Sequence, residues 1–378
     1  MSDTAGGTPP RTSQRSVVVL GGYGNFGNRV AAALASDRSY RVFIAGRDLR
    51  KASAVAQEIG GSAEPMAVDY HAADFAAQLR HVAADVVVHT AGPFQAQSYS
   101  VPSACIEARA HYVDIADGRA YVCGIAKLDA MAKRNDTLIV SGASSLPALS
   151  AAVIDSLSNR FSRVDTIEHG ISAGAKPPGL ATMEGVLSYV GKPFPRWEHG
   201  AWKVAHGWQD MVVRRYPAPV GSRWLGSCDV PDLELFPQRY APVRSVVFRA
   251  GVGFASTTLA MWVASWLVRM RLMQSLVPHA RGLLRMAGAL QPYGTKWSAM
   301  HVTLRGLDPD NQPSACTWSL LAGQDHGPNI PCFPAIAMAR KLLRDEVTAR
   351  GALPCMGLLS VEEILQAIPG LDLTTATR

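Results

Sequence analysis

The sequence predicts an α/β fold in which a doubly wound parallel sheet is followed by a second, α+β domain. Three observations carry this. Short apolar runs alternate with amphipathic stretches of helical period from Ser16 to about residue 150. A glycine-rich turn stands directly between the first apolar run and the first helical stretch. Beyond residue 150 the alternation stops and a hairpin pattern appears.

In order, SVVVLG predicts a strand and NRVAAALA a helix. RVFIAGR is a second strand, with LRKASAVAQEIG a helix closed by glycines. PMAVDY and DFAAQLRHV, DVVVHTAG and VPSACIEARA, and HYVDIA and AKLDAMAKRN repeat the unit, and TLIVSGA is a sixth strand. Strands that are apolar throughout and separated by helices imply a sheet covered on both faces. The polar leader, residues 1–15, is expected to be disordered and has no apolar core of a secretion signal. Residues 16–150 form the expected first domain and residues 151–378 the second. In the second, VDTIEHGISAG is a strand and a Trp-, Pro- and Gly-rich stretch follows. MHVTLRGLDPDNQPSACTWSLLAG is a β-hairpin around an Asp-Pro-Asp-Asn turn. AIAMARKLLRDEVTARG and SVEEILQAI are expected as closing helices that pack back on the first domain.

The first turn carries the clearest chemistry. Gly22-Tyr23-Gly24-Asn25-Phe26-Gly27 is a GxGxxG between strand and helix, the context of a Rossmann-type dinucleotide site. The first glycine permits the turn, the second a close approach of pyrophosphate, and the third close helix–strand packing; the helix N-terminus supplies N–H groups to phosphate. The second strand ends Ala45-Gly46-Arg47-Asp48. Arg47 suits a 2′-phosphate, whereas Asp48 suits either a ribose hydroxyl or a helix N-cap. NADP is therefore favoured over NAD. Asp69 is a candidate contact to adenine or an ordinary turn residue, and Ala91-Gly92-Pro93 is placed to line the nicotinamide ribose.

These residues carry a family resemblance. VVVLGGYGNFGNRVAAALA, VFIAGRD, VVVHTAGPF, ACIEARAHYVDIADGR and SGASSLPALS resemble the NADP-binding domain of saccharopine dehydrogenase-like proteins. MHVTLRGLD, GPNIPCFPAIAMARKLL and GALPCMGLLSVEEIL resemble the far end of bacterial members. The resemblance implies the fold and NADP, but no particular substrate.

A hydride-transfer site requires a proton donor or acceptor near the carboxyl ends of the strands. By residue type His111, Tyr112 and Asp114 are the catalytic candidates, with the alternative that His111 caps its strand and Tyr112 is core. Ser144 and Ser145 precede a helix and are candidates to hold a substrate carboxylate. His169, on the first strand of the second domain, is a candidate to reach into the cleft from the other side.

Composition narrows the partners. Lys and Arg total 37 against 30 Asp and Glu, a net charge of +7. Between Ala241 and Met300 stand seven basic residues and no acidic one, so the remainder is neutral. A local block of this kind does not mark a nucleic-acid-binding surface. Six well-separated cysteines without a CxxC pair are expected to be reduced, hold no metal, and fit a cytoplasmic protein. Within the block (residues 241–300), Gly251–Val268 is an 18-residue run without a charge, followed by leucines among arginines. A buried helix pair or homodimer contact is the favoured reading. A peripheral membrane contact through residues 251–290 comes second and a membrane span third. The function expected is an NADP-dependent oxidoreductase acting on a small carbonyl, imine or related substrate. The alternative is a catalytically silent NADP(H)-binding sensor or scaffold, membrane-associated or not.

Overall fold

A computed structural model describes residues 14–378. The leader expected at residues 1–15 falls outside the described residues except for its last two. Arg15 already opens the first strand and pairs with Asp85 at 2.9 Å and with Asp345.

The first sheet is built from β1 (Arg15–Leu20), β2 (Tyr40–Gly46), β3 (Ala63–Ala67), β4 (Val86–His89), β5 (His111–Asp114) and β6 (Leu138–Ser141). Between them run α1 (Asn25–Ala35), α2 (Leu49–Ile59), α3 (Phe75–His81), α4 (Ser100–Ala108), α5 (Arg119–Gly124) and α6 (Asp129–Arg134). The order β6-β5-β4-β1-β2-β3 is parallel throughout, with the crossover between β1 and β4. β1 shows why its sequence is apolar at every position. Val17 and Val19 enter the core on one face of the sheet, Val18 and Leu20 the core on the other, and all four are fully buried.

After α7 (Ser150–Ser158) the chain builds a second, mixed sheet. Its early elements are β7 (Arg163–Ser172), α8 (Leu180–Ser188), the β8–β9 hairpin (Pro193–Glu198, Ala201–His206), β10 (Val212–Arg215), β11 (Ser222–Ser227), α9 (Asp232–Arg239) and β12 (Ser245–Gly251). Two helices, α10 (Ala255–Arg269) and α11 (Ala280–Leu290), precede β13 (Ser298–Leu307) and β14 (Pro313–Ala322). The last elements are α12 (Phe333–Leu343), β15 (Gly351–Pro354), α13 (Val361–Leu365) and β16 (Leu373–Thr377). The strand order is β10-β11-β12-β7-β13-β14-β16. β13 and β14 are the expected hairpin. β13 shifts register against β7 at Arg305/Gly306, where a Cβ on Gly306 would lie 1.9 Å from the Arg163 carbonyl oxygen.

Three expectations change. The C-terminal stretch is not purely helical. β15 joins the first sheet beside β6 as a seventh parallel strand, and β16 edges the second. Both are four or five residues long with weak strand patterning, so pairing partners rather than local sequence define them. The 18-residue uncharged run is not one helix. Gly251 ends β12 and α10 begins only at Ala255, and no helix among the described residues is long and apolar enough to cross a membrane. Nor are α10 and α11 a buried pair, since Leu259, Val263, Met286 and Leu290 are exposed.

α12 ties the chain's end to its beginning. Nearly all its residues are buried, and it lies against α1, β4 and β5. Arg340 donates from it to the Ala33 carbonyl at 2.7 Å. Ile336→Ala, at a fully buried position of α12, is expected to lower unfolding stability by about 2–5 kcal/mol in urea denaturation.

Candidate active site

The glycine turn is shaped by contacts that only glycine permits. Gly21, at φ +74°, and Gly22 both donate to the Ala45 carbonyl, at 2.9 and 3.3 Å, fixing the end of β1 to the end of β2. Gly24 donates to the Gly21 carbonyl at 2.8 Å. A Cβ on Gly27 would fall 2.1 Å from that same oxygen and 2.7 Å from Thr90 Oγ1, so a side chain there would push α1 off the sheet. Above Gly24 the space is open: a Cβ there would meet only the Gly21 carbonyl, at 3.0 Å. No side chain caps the N-terminus of α1. An uncapped helix start beneath an open glycine is a cradle for phosphate, and these residues fit a dinucleotide. Asn25 is exposed beside it, with Arg29 reaching from the next turn to within 2.6 Å of Asn25 Oδ1. Phe26 is half-buried, and its carbonyl faces the Cys332 thiol at 3.7 Å. Arg29 had no motif to mark it in the sequence.

At the end of β2 the ambiguity between Arg47 and Asp48 resolves. Asp48 is the N-cap of α2, its carboxylate accepting from the Lys51 N–H at 3.2 Å. Its own N–H points to the Tyr23 hydroxyl at 3.4 Å, and the Tyr23 ring lies against Gly46, where a Cβ would be 2.4 Å away. Arg47 is exposed and makes no ion pair among the described residues. Asp69 is exposed beyond the end of β3 and accepts from the His71 N–H at 3.0 Å, a turn contact.

The loop after β4 closes the other side. Thr90 donates its N–H and hydroxyl to the Leu20 carbonyl at 2.9 and 2.7 Å, and the Ala91 backbone lies against Gly21. Gly92–Pro93 is a cis peptide. The Gln97 amide bonds the carbonyls of Ala91 and Pro93 at 2.7 and 3.1 Å, so this loop is held in one shape next to the glycine turn.

The three catalytic candidates are not brought together at the cleft. His111 begins β5, at the amino end of the strand and so at the opposite edge of the sheet. Its Nδ1 accepts from the Leu138 N–H at 2.9 Å, and burial lowers its pKa. Tyr112 is core. Its hydroxyl lies between His89 Nδ1 at 3.0 Å and the Tyr121 hydroxyl at 3.1 Å, with no solvent exposure. Asp114 is at the correct end but fully buried, accepting on Oδ1 from the Ala116 and Gly142 N–H groups at 2.9 and 2.7 Å and from the Ser141 hydroxyl at 3.1 Å. It staples the β5 and β6 loops together, and burial pushes its carboxyl up to about 6. Strand alternation does not separate what is exposed from what is buried in so short a strand covered on both faces.

The substrate candidates are likewise buried. Ser144 and Ser145 are 7% and 5% exposed and neither caps the following helix with its side chain. His169 faces the interior of the second domain, where Nε2 lies 3.0 Å from Asp232 Oδ1 and Ser150 donates to the same oxygen at 2.5 Å. Burial takes His169 down to about 3 and Asp232 up to about 7, each shifted toward its uncharged form.

Three residues past Asp114, beyond the carboxyl end of β5, Asp117 is exposed and accepts from the Gln95 amide at 3.0 Å, and desolvation raises its pKa. Opposite stands α8. A Cβ on Gly179, just before it, would approach Asn25 to 3.5 Å, and one on Gly185 would come within 3.1 Å of the Gln95 amide. α8 therefore roofs the space between the phosphate cradle and the Gln95–Asp117 rim. On the far side Arg119, almost buried, pairs with Asp229 at 3.1 Å and Glu234 at 3.5 Å, bracing α5 against the second sheet's loops. Asp117 lies within the ACIEARAHYVDIADGR run that carries the family resemblance, whereas Gln95 stands just after VVVHTAGPF and in no motif.

A doubly wound dinucleotide-binding domain, roofed by a helix from a mixed-sheet partner, is the class that this arrangement defines. Its type is narrower. Residues 17–140 match the family described as the saccharopine dehydrogenase NADP binding domain, which marks the first domain as similar to an NADP-binding domain of that kind. The fold is similar to that of apo histidine-tagged saccharopine dehydrogenase (L-Glu forming) from Saccharomyces cerevisiae, at 12% identity and TM-score 0.68 over 96% of this chain and 100% of that one. A looser likeness, at 12% identity and TM-score 0.48 over 93% of this chain and 96% of that one, is to an amine dehydrogenase from Mycobacterium smegmatis. No curated protein sequence matches the chain.

Two outcomes follow from this geometry. Gly27→Ala is expected to abolish NADPH binding in calorimetry, because the methyl and the Gly21 carbonyl cannot share the same space. Asp114 is raised in the folded state, so its contribution favours folding most below the ordinary carboxylate range and is lost as pH rises through about 6. Asp114→Asn should flatten the decline of unfolding free energy across that window; an unchanged slope refutes the assignment.

Proposed function

We propose that the protein is an NADP-dependent oxidoreductase acting on a small carbonyl, imine or related substrate held between α8 and the Gln95–Asp117 rim. The observation that carries this reading is the open cradle above Gly24 at an uncapped helix start, with Arg47 free at the end of β2. Bound NADPH supplies a hydride to an electrophilic carbon. The chain's own residues do the rest. The α1 N-terminus and the Gly24 backbone hold the pyrophosphate, with Arg29 close by. Arg47 offers a planar guanidinium to the 2′-phosphate. The Thr90–Pro93 loop, pinned to Leu20 and by Gln97, orients the ribose beyond it. Asp117 is the proposed proton-exchange group, oriented by Gln95, and the α8 roof limits the access of water.

Removal of a charge-assisted pair predicts the size of the Arg47 effect. Arg47→Asp should weaken NADPH binding by roughly 10- to 100-fold while changing NADH binding far less. An unaltered NADPH/NADH ratio removes Arg47 from the site, and failure of both nucleotides to bind removes the whole reading. Turnover is assayed by NADPH oxidation over aldehydes, imines and enoyl thioesters. With an active substrate, Asp117→Asn should lower kcat at least about ten-fold and leave NADPH affinity unchanged. Tight NADPH binding with no oxidation across the panel would assign the chain to nucleotide sensing instead.

A further inference from the structure

The helix α10 is arranged with its polarity reversed. Its buried positions are Thr258, Ser265 and Val268, whereas its outward row is Leu259, Val263 and Leu267, spaced at four residues along one face. Leu259 and Val263 are 50% and 49% exposed, and the row runs on into Met270 and Leu272, at 63% and 73%. The inward hydroxyls are bonded close by in the chain, Thr258 also accepting from the Val252 N–H at 3.4 Å. Thr258 donates to the Phe254 carbonyl at 3.3 Å and Ser265 to the Trp262 carbonyl at 2.6 Å. The chain passes tightly at the C-terminal end of this inward side, where a Cβ on Gly191 would lie 2.2 Å from the Ser265 carbonyl oxygen. That contact concerns the inward side and leaves the outward apolar row unexplained. α11 adds Met286 and Leu290 to the exposed apolar surface. An exposed apolar row of this kind on a water-facing helix is costly unless another medium covers it.

The charge around the patch selects the medium. Arg269, Arg271, Arg281 and Arg285 are all exposed, and no acidic residue occurs from Ala241 to Met300. Arg271, Arg281 and Arg285 make no ion pair among the described residues. Arg269 lies over the Trp266 ring at 4.9 Å and bonds the Gln209 amide oxygen at 2.5 Å. A second copy docked isologously would press this patch against itself, arginine facing arginine with no carboxylate to pair them. A span is excluded by length, since the 15 residues of α10 reach only about 22 Å against a hydrocarbon core of about 30 Å. An anionic lipid surface meets both demands, taking the leucines into the headgroup–acyl boundary and the arginines onto lipid phosphates.

We propose that the outward face of α10 and α11 is a peripheral docking surface for anionic membranes. The test is flotation of the full chain with phosphatidylcholine vesicles and with vesicles containing about 30% phosphatidylglycerol. The protein is expected to float with the anionic vesicles alone, and roughly 0.5 M salt should lower the bound fraction at least ten-fold. The triple variant Leu259→Glu, Val263→Glu, Leu267→Glu should lose flotation. Arg271→Ala, Arg281→Ala and Arg285→Ala should each weaken partitioning about five-fold. These positions are exposed, so NADPH binding and the unfolding midpoint of the variants should match the parent. Absence of flotation with anionic vesicles overturns the proposal. So does flotation that the glutamate variant retains. A parent that sediments as a dimer without vesicles, and becomes monomeric with the glutamate variant, also overturns it, because the patch is then an interface between copies.

Discussion

The Gly21 carbonyl oxygen occupies the volume that any side chain on Gly27 would need, and this contact sets how closely α1 rests on the ends of β1 and β4. The Thr90 hydroxyl crowds the same volume from the neighbouring strand. Because α1 is held there, its N-terminus opens onto the crossover between β1 and β4, where a doubly wound sheet presents its ligand crevice. The end of β2 is fixed to the turn through Ala45, the loop after β4 through Leu20 and Gly21, and α12 packs on the outer side of α1. Each wall of the cleft is thus positioned relative to one glycine contact.

Behind those walls lie polar groups that are scaffolding. Asp114 gathers two backbone N–H groups and a hydroxyl from the β5 and β6 loops, which offsets much of the cost of burying a carboxyl group. His89, Tyr112 and Tyr121 share hydroxyl and imidazole partners in the interior of the first sheet. In the second domain His169, Asp232 and Ser150 do the same. Residue types that catalyse at a surface serve here in buried networks, in which His89 Nε2, Asp114 Oδ2, His169 Nδ1 and Asp232 Oδ2 have no hydrogen-bond partner among the described residues, and burial pushes the carboxyl and imidazole pKa values toward the uncharged form.

The excess positive charge belongs to a different part of the molecule. In the first domain Arg29 stands beside the uncapped start of α1 and Arg47 at the end of β2, whereas the acid-free block carries exposed arginines and exposed apolar residues on and beside α10 and α11. The hydrophobic effect would turn those apolar residues inward if the space behind α10 allowed it. Behind α10 the chain passes closely, Gly191 lying against the Ser265 carbonyl and the Val268 side chain.

Local sequence determined the first sheet, its strand-by-helix rhythm and the glycine turn, because periodicity and backbone sterics act within a few residues. It likewise determined the β13–β14 hairpin, whose Asp308–Gln312 turn is a local device. Two features were left open in the sequence and settled by packing: Asp48 turned out to be a helix cap, and Arg47 a free cation. Tertiary structure alone decided the rest. β15 and β16 exist through partners more than two hundred and about fifty residues away in sequence, respectively. His111, Tyr112 and Asp114 share a strand, yet strand ends and burial send one to the far edge and two into the core. Gln95, bonded to Asp117, meets α8 only because the second domain folds back over the first. A residue's type specifies the chemistry that it can perform; whether it meets water, a neighbour or a ligand depends on which distant segment packs against it, and no local pattern encodes that.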